Sequence, residues 1–213
     1  QAVSPISFTI PMAIGKISIE SAYMYFEAKD STETRDVSGP LDTQISSDWH
    51  FGKAILTGYA NLPTGSDSLD AADAALARDV ARNDLNFPIK SFGQGFDYGG
   101  AITLAHQVDH WAISLGGGYI VRGAYTPIAG ASDYNPGNEL TLTAGFSYAS
   151  GNWTFGLDTS GHLIYVDRLA RTPVFRNGKQ IVGRGSIKYE SRRIRLTASA
   201  TEILRLKNRE MVD

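Results

Sequence analysis

The chain has 213 residues, of which 42% are hydrophobic and only 20% charged, with 22 glycines and no cysteine. That length suits one generous domain or a single large β-architecture, and the missing cysteines exclude a disulfide-stapled scaffold, thiolate metal sites and cysteine nucleophiles. An aromatic content of 10% argues against disorder, and a formal charge of −2 against a nucleic-acid binder.

Alternation of period two predicts ten strands, near 6–13, 16–28, 43–51, 53–62, 97–108, 110–122, 139–149, 152–166, 180–190 and 193–207. In chain order, the apolar faces begin with Ile6, Phe8 and Ile10, then Ile17, Ile19, Tyr23 and Tyr25. Tyr98, Ile102, Leu104 and Val108 follow, then Trp111, Ile113, Leu115, Tyr119 and Val121. Leu140, Leu142, Phe146 and Tyr148 continue the series, with Trp153, Phe155 and Leu157 after them. In the last two strands, Ile181, Ile187 and Tyr189 oppose Arg184, Ser186, Lys188 and Glu190. There Leu196, Ala198, Ala200 and Leu204 oppose Arg195, Thr197, Ser199, Thr201 and Arg205, and only Glu202 and Ile203 break the alternation.

Strands in globular sheets usually run about 5 or 6 residues, whereas a tilted strand crossing a bilayer needs about 9 to 11. The predicted strands have membrane length, and their aromatic residues gather toward strand ends, where interfacial girdles form. Very short links near 14–16, 51–52, 108–110, 149–152 and 190–193 alternate with long ones near 29–42, 63–96, 123–138 and 167–179. A transmembrane barrel has this asymmetry, with tight periplasmic turns and long outer loops. No apolar run reaches the roughly 20 residues of a spanning helix.

The reading is an all-β, antiparallel, up-and-down transmembrane β-barrel occupying residues 1–213 as one domain. Ten strands put both chain ends on the outer side, so either one further strand at each end, twelve in all, or an unusual pairing of a terminal segment is expected. The longest loop, 66–92, should hold a short amphipathic helix: over Ser68–Asn83, Leu69, Ala72, Leu76 and Val80 share one face, with Asp67, Asp70 and Asp73 early and Arg78 and Arg82 late.

With the strands placed, three short motifs stand at strand ends: Gly39-Pro40-Leu41-Asp42-Thr43, Leu62-Pro63-Thr64-Gly65 and Gly93-Gln94-Gly95-Phe96-Asp97-Tyr98. On these residues the sequence resembles the outer-membrane channel family of the meta-pathway phenol-degradation type, whose suggested role is transport of small hydrophobic or aromatic compounds. Pro40 departs from the family pattern. The resemblance implies an outer-membrane β-barrel and supplies no catalytic residues.

The chain's own chemistry points the same way. His106 and His110 have the spacing of a helical zinc pair but flank a tight turn, so they do not converge. No G-x-S-x-G nucleophile elbow occurs, and no enzymatic activity is expected. Gly116-Gly117-Gly118 lies mid-strand with no lysine after it, which suits a bend better than a phosphate loop. Asp67, Asp70 and Asp73 lack calcium-loop spacing.

Basic residues carry the remaining signal, because residues 1–150 hold 8 Lys+Arg against 16 Asp+Glu and residues 151–213 hold 12 against 6. Arg122, Glu139, Asp158, Arg184, Lys188, Glu190, Arg193, Arg195 and Arg205 are expected to line the lumen, since charge facing lipid at mid-depth costs about 2–4 kcal/mol. They form either a salt-bridged plug or a positive lining that favours anions.

The expected function is a passive channel or transporter for small solutes, hydrophobic or anionic, in a Gram-negative-type outer membrane. Outer-membrane lipid and a small-molecule solute are the expected partners, with a protein partner held by the long loops as a further reading; no cofactor, metal or nucleic acid is expected. The rival readings are a scaffold barrel whose loops bind a partner, and a soluble carbohydrate-binding β-sandwich.

Overall fold

The computed structural model describes residues 2–29, 34–65, 95–126 and 132–210. The helix expected over Ser68–Asn83 lies outside the described residues. The strands are β1 (Ala2–Met12), β2 (Gly15–Lys29), β3 (Thr34–Pro40), β4 (Thr43–Phe51), β5 (Ala54–Leu62), β6 (Asp97–Val108), β7 (Trp111–Val121), β8 (Tyr134–Asn135), β9 (Glu139–Ser150), β10 (Trp153–Ile164), β11 (Val166–Leu169), β12 (Thr172–Arg176), β13 (Gln180–Glu190), β14 (Arg195–Arg205) and β15 (Arg209–Glu210).

The main sheet runs β1-β2-β4-β5-β6-β7-β9-β10-β13-β14, with every neighbour antiparallel. It is a meander of the ten strands expected from the sequence. Its two-residue turns are set by local backbone: Gly52 and Gly151 take positive φ (60° and 56°), as tight hairpins demand. Among the described residues, β1 pairs only with β2 along this path and β14 only with β13.

Three features differ from the sequence reading. The link after β2 is partly strand: β3 pairs Tyr23–Lys29, so the β2 hairpin projects past the sheet. A one-residue shift at Leu41–Asp42 separates β3 from β4, and there the Leu41 amide donates to the Ala22 carbonyl (2.8 Å). The links 123–138 and 167–179 also contain structure, because β8, β11, β12 and β15 form a second small sheet beyond the long-loop end. Lastly, Arg193 belongs to the turn before β14, not to the strand.

Register carries the apolar face unbroken across the sheet. One row reads Trp49, Leu56, Ile102, Gly117, Leu142, Gly161, Ile181 and Leu204, and another reads Leu104, Leu115 and Ala144. This face is uncovered: Phe8 is 63% exposed, Leu115 61% and Leu196 62%. The buried apolar residues among those described are Ala22, Met24 and Leu41, all near the outer half of β2. A soluble sandwich would place its apolar side chains inside; here they form the surface.

Aromatic residues band both ends of that face. Near the short turns, Trp111 packs on Tyr148 (centroids 4.2 Å) and on Phe146 (5.1 Å), and Trp153 on Tyr189 (4.8 Å). Toward the long loops, Phe96 stacks on Tyr98 (5.7 Å) and Tyr119 meets Tyr165 edge-on (6.3 Å). From Trp111 to Tyr119 the strand runs about 26 Å at about 3.3 Å per residue, which at a barrel tilt of about 40° spans about 20 Å of membrane height, most of the apolar band of about 25 Å. Glu202 alone among the charged strand residues of β14 shares the apolar face, opposite Gly183.

Candidate functional site

The polar face concentrates its hydrogen bonds at the long-loop end, and a repeated device builds that rim. Four times an Asx side chain at a strand end accepts the backbone N–H of a glycine on a neighbouring segment. Asp42 takes Gly65 (2.9 Å), Asp97 takes Gly123 (2.9 Å), Asp167 takes Gly137 (2.7 Å) and Asn208 takes Gly178 (2.9 Å). Glycine is required where the approach is closest: a Cβ on Gly178 would sit 1.8 Å from the Leu206 carbonyl oxygen and one on Gly137 2.1 Å from that of Tyr165.

Asp42 is fully buried and also accepts from the Asn61 amide (3.1 Å), while Thr43 and Thr64 share a hydroxyl hydrogen bond (2.7 Å). The motif residues Asp42, Thr43, Thr64, Gly65 and Asp97 are therefore rim clamps. Their chemistry is structural.

Beyond this rim, Tyr134 donates to Asp167 (2.5 Å) and its ring meets Tyr125 edge-on (5.6 Å). Burial, then the hydrogen bond to Asp167 and its charge, pushes the Tyr134 phenol well above the usual range. It stays a neutral donor across ordinary pH.

Of the expected lining residues, the structure brings Arg122 and Glu139 together. Arg122 follows β7, and its guanidinium meets Glu139 Oε2 at 2.6 Å. Glu139 Oε1 lies 2.8 Å from His162 Nδ1, and His162 Nε2 lies 2.9 Å from Ser160 Oγ. Thr141 sits beside both, 3.3 Å from Glu139 and 3.3 Å from His162. Register explains the cluster, since Glu139 and Thr141 of β9 stand opposite Ile164 and His162 of β10.

The rest lie on the same polar face along the sheet. Asp158 stands opposite Arg184, with Gly145 opposite Asp158 on its other side. Glu190 pairs with Arg195 at the short-turn end, Arg205 donates to Gln180 (3.2 Å), and Lys188 faces Thr154 and Thr197 in register. Arg193 lies in the turn that precedes β14.

Sequence reasoning missed His162, Ser160 and Thr141. The usable signal was the S-x-H spacing, which puts Ser160 and His162 on one strand face, one residue pair from an acidic strand start. His106 and His110 do not join; His106 shares the apolar face opposite Ile113, and no group of three metal-ligating side chains occurs among the described residues.

The ion pair makes a stability prediction. Arg122→Gln should lower the unfolding free energy by about 1–3 kcal/mol, because the mostly buried Glu139 loses its charged partner. Urea unfolding in detergent micelles measures it.

Among solved structures, an outer membrane channel from Pseudomonas putida F1 is similar in fold, with a TM-score of 0.63 at 12% identity over 98% of this chain and 77% of that one. The fold is thus of the outer-membrane channel type. No protein-family model and no curated protein matches the chain.

Proposed function

We propose that the chain forms a closed transmembrane β-barrel that acts as a passive channel for small solutes in a Gram-negative-type outer membrane. The observation that carries this reading is the uncovered apolar face between two aromatic bands. Hydrocarbon offers the backbone no hydrogen bonds, so strands in a membrane must close on themselves. β1 and β14 are the two edges of the ten-strand path; with ten strands, or with twelve if one more flanks each end, the count is even, the edge strands run antiparallel and the ladder can close through them. The short turns then face the periplasm and the long loops the outside. The likeness of fold to an outer membrane channel supports this, and the motifs at 39–43, 62–65 and 93–98 make the phenol-degradation type of channel the family we favour.

The polar face becomes the lumen lining. On β13 and β14, Arg184, Lys188, Arg195 and Arg205 outnumber Glu190 there, which favours anionic solutes. The double variant Arg184→Glu with Lys188→Glu should invert the ion preference in planar bilayers, read as a reversal potential of opposite sign. An unchanged reversal potential removes the anionic class, and a purified chain that conducts nothing removes the channel.

A further inference from the structure

Glu139, His162 and Ser160 form a hydrogen-bonded relay on the polar face that passive conduction does not require. We propose that it is an acyl-transfer site for small activated esters, with Ser160 as nucleophile, His162 as general base and Glu139 as the group that orients it. This departs from the expectation that the chain is not an enzyme, which rested on local motifs. It goes beyond the channel reading and holds or fails separately from it.

The geometry has the three contacts such chemistry needs. His162 Nδ1 is 2.8 Å from Glu139 Oε1. Donation there fixes the tautomer, leaving the Nε2 lone pair toward Ser160 Oγ at 2.9 Å. Glu139 is itself held by Arg122 at 2.6 Å on its other oxygen, so the carboxylate is not free to rotate away. The relay is reachable, since His162 keeps 26% of its side-chain surface exposed while Glu139 keeps 13%.

The step balances with water alone. The Ser160 hydroxyl proton passes to His162 Nε2 as the Oγ–carbon bond forms at the ester carbonyl. Collapse of the tetrahedral adduct breaks the bond to the leaving oxygen, which takes the proton from Nε2. Water then attacks the acyl-serine, gives its proton to Nε2, and the acid leaves as Ser160 is restored.

The substrate class follows from what stabilises the adduct. Around Ser160 the backbone amides of β9 and β10 belong to the ladder, so a backbone oxyanion hole is not on offer. Thr143 stands opposite Ser160, but its hydroxyl leans over Gly116 of β7, 2.6 Å from where a Cβ there would sit, so it does not supply the donor either. Such a site suits esters whose leaving group departs readily, such as a phenolate with pKa about 10, and not amides.

The test uses the full chain folded in detergent micelles, with an alkyl fluorophosphonate and p-nitrophenyl acetate as probes. Peptide mass spectrometry should place the phosphonyl adduct on Ser160, with the polar-face serines Ser114, Ser147 and Ser186 unlabelled. Ser160→Ala should cut p-nitrophenolate release at least tenfold, and Glu139→Gln should slow Ser160 labelling at least tenfold. Far-UV circular dichroism checks that the variants fold; where one does not, the site of the adduct in the unaltered chain decides. An adduct absent from Ser160, or shared equally with the other serines, overturns the proposal whether or not the chain conducts.

Discussion

Asp42→Ala is expected to lower the unfolding free energy by about 2–4 kcal/mol, because a buried amide and a half-buried backbone N–H lose their acceptor at once. The carboxylate is fully buried and takes the Gly65 N–H (2.9 Å) and the Asn61 amide (3.1 Å). Alanine leaves both without it in a place where the fold closes the β4–β5 end. Asp42→Asn keeps one carbonyl oxygen for Gly65 but presents an amide toward Asn61, so about half the loss should remain. Urea titration in micelles, followed by tryptophan fluorescence, gives both numbers. A loss below about 0.5 kcal/mol for alanine, the range of ordinary surface changes, would show that the clamp does not hold the rim.

The clamp also shows where sequence reasoning stops. The strands were legible because one face of each must be apolar from end to end: Trp111, Ile113, Leu115 and Tyr119 declare β7 without knowledge of any neighbour. The ion pair Arg122–Glu139 was legible in part, since both residues fall on polar faces beside a long link. Asp42 and Asp97 were visible only as letters in motifs, because their partners, Gly65 and Gly123, stand 23 and 26 residues away. Contacts of that separation depend on register and loop path, which alternation does not fix. The Ser160–His162–Glu139 relay escaped for the same reason, as the opposition of Thr141 and His162 exists only once β9 and β10 are paired. The small outer sheet was illegible because β8 and β15 have two residues each, too few to show a period.

Leu115→Arg is expected to separate the membrane reading from its soluble rival by the largest margin. Leu115 is 61% exposed and lies mid-strand on β7, between Leu104 and Ala144. On a water-facing sheet, arginine at so exposed a position changes stability by no more than about 0.5 kcal/mol. Facing hydrocarbon near mid-depth, it costs about 2–4 kcal/mol, which should cut the folded fraction in lipid vesicles by tenfold or more near the unfolding midpoint. Ala105→Arg is the matched control: Ala105 pairs with Ser114, one step from Leu115 in depth, but belongs to the opposite, polar face. It should fold as the parent chain does, because its arginine meets a hydrated lumen. Folding yield in vesicles, scored by the heat-shifted mobility of a closed barrel on gels, distinguishes the two. Equal yields for Leu115→Arg and Ala105→Arg would mean that the apolar face does not meet lipid, and the channel reading would fall with it.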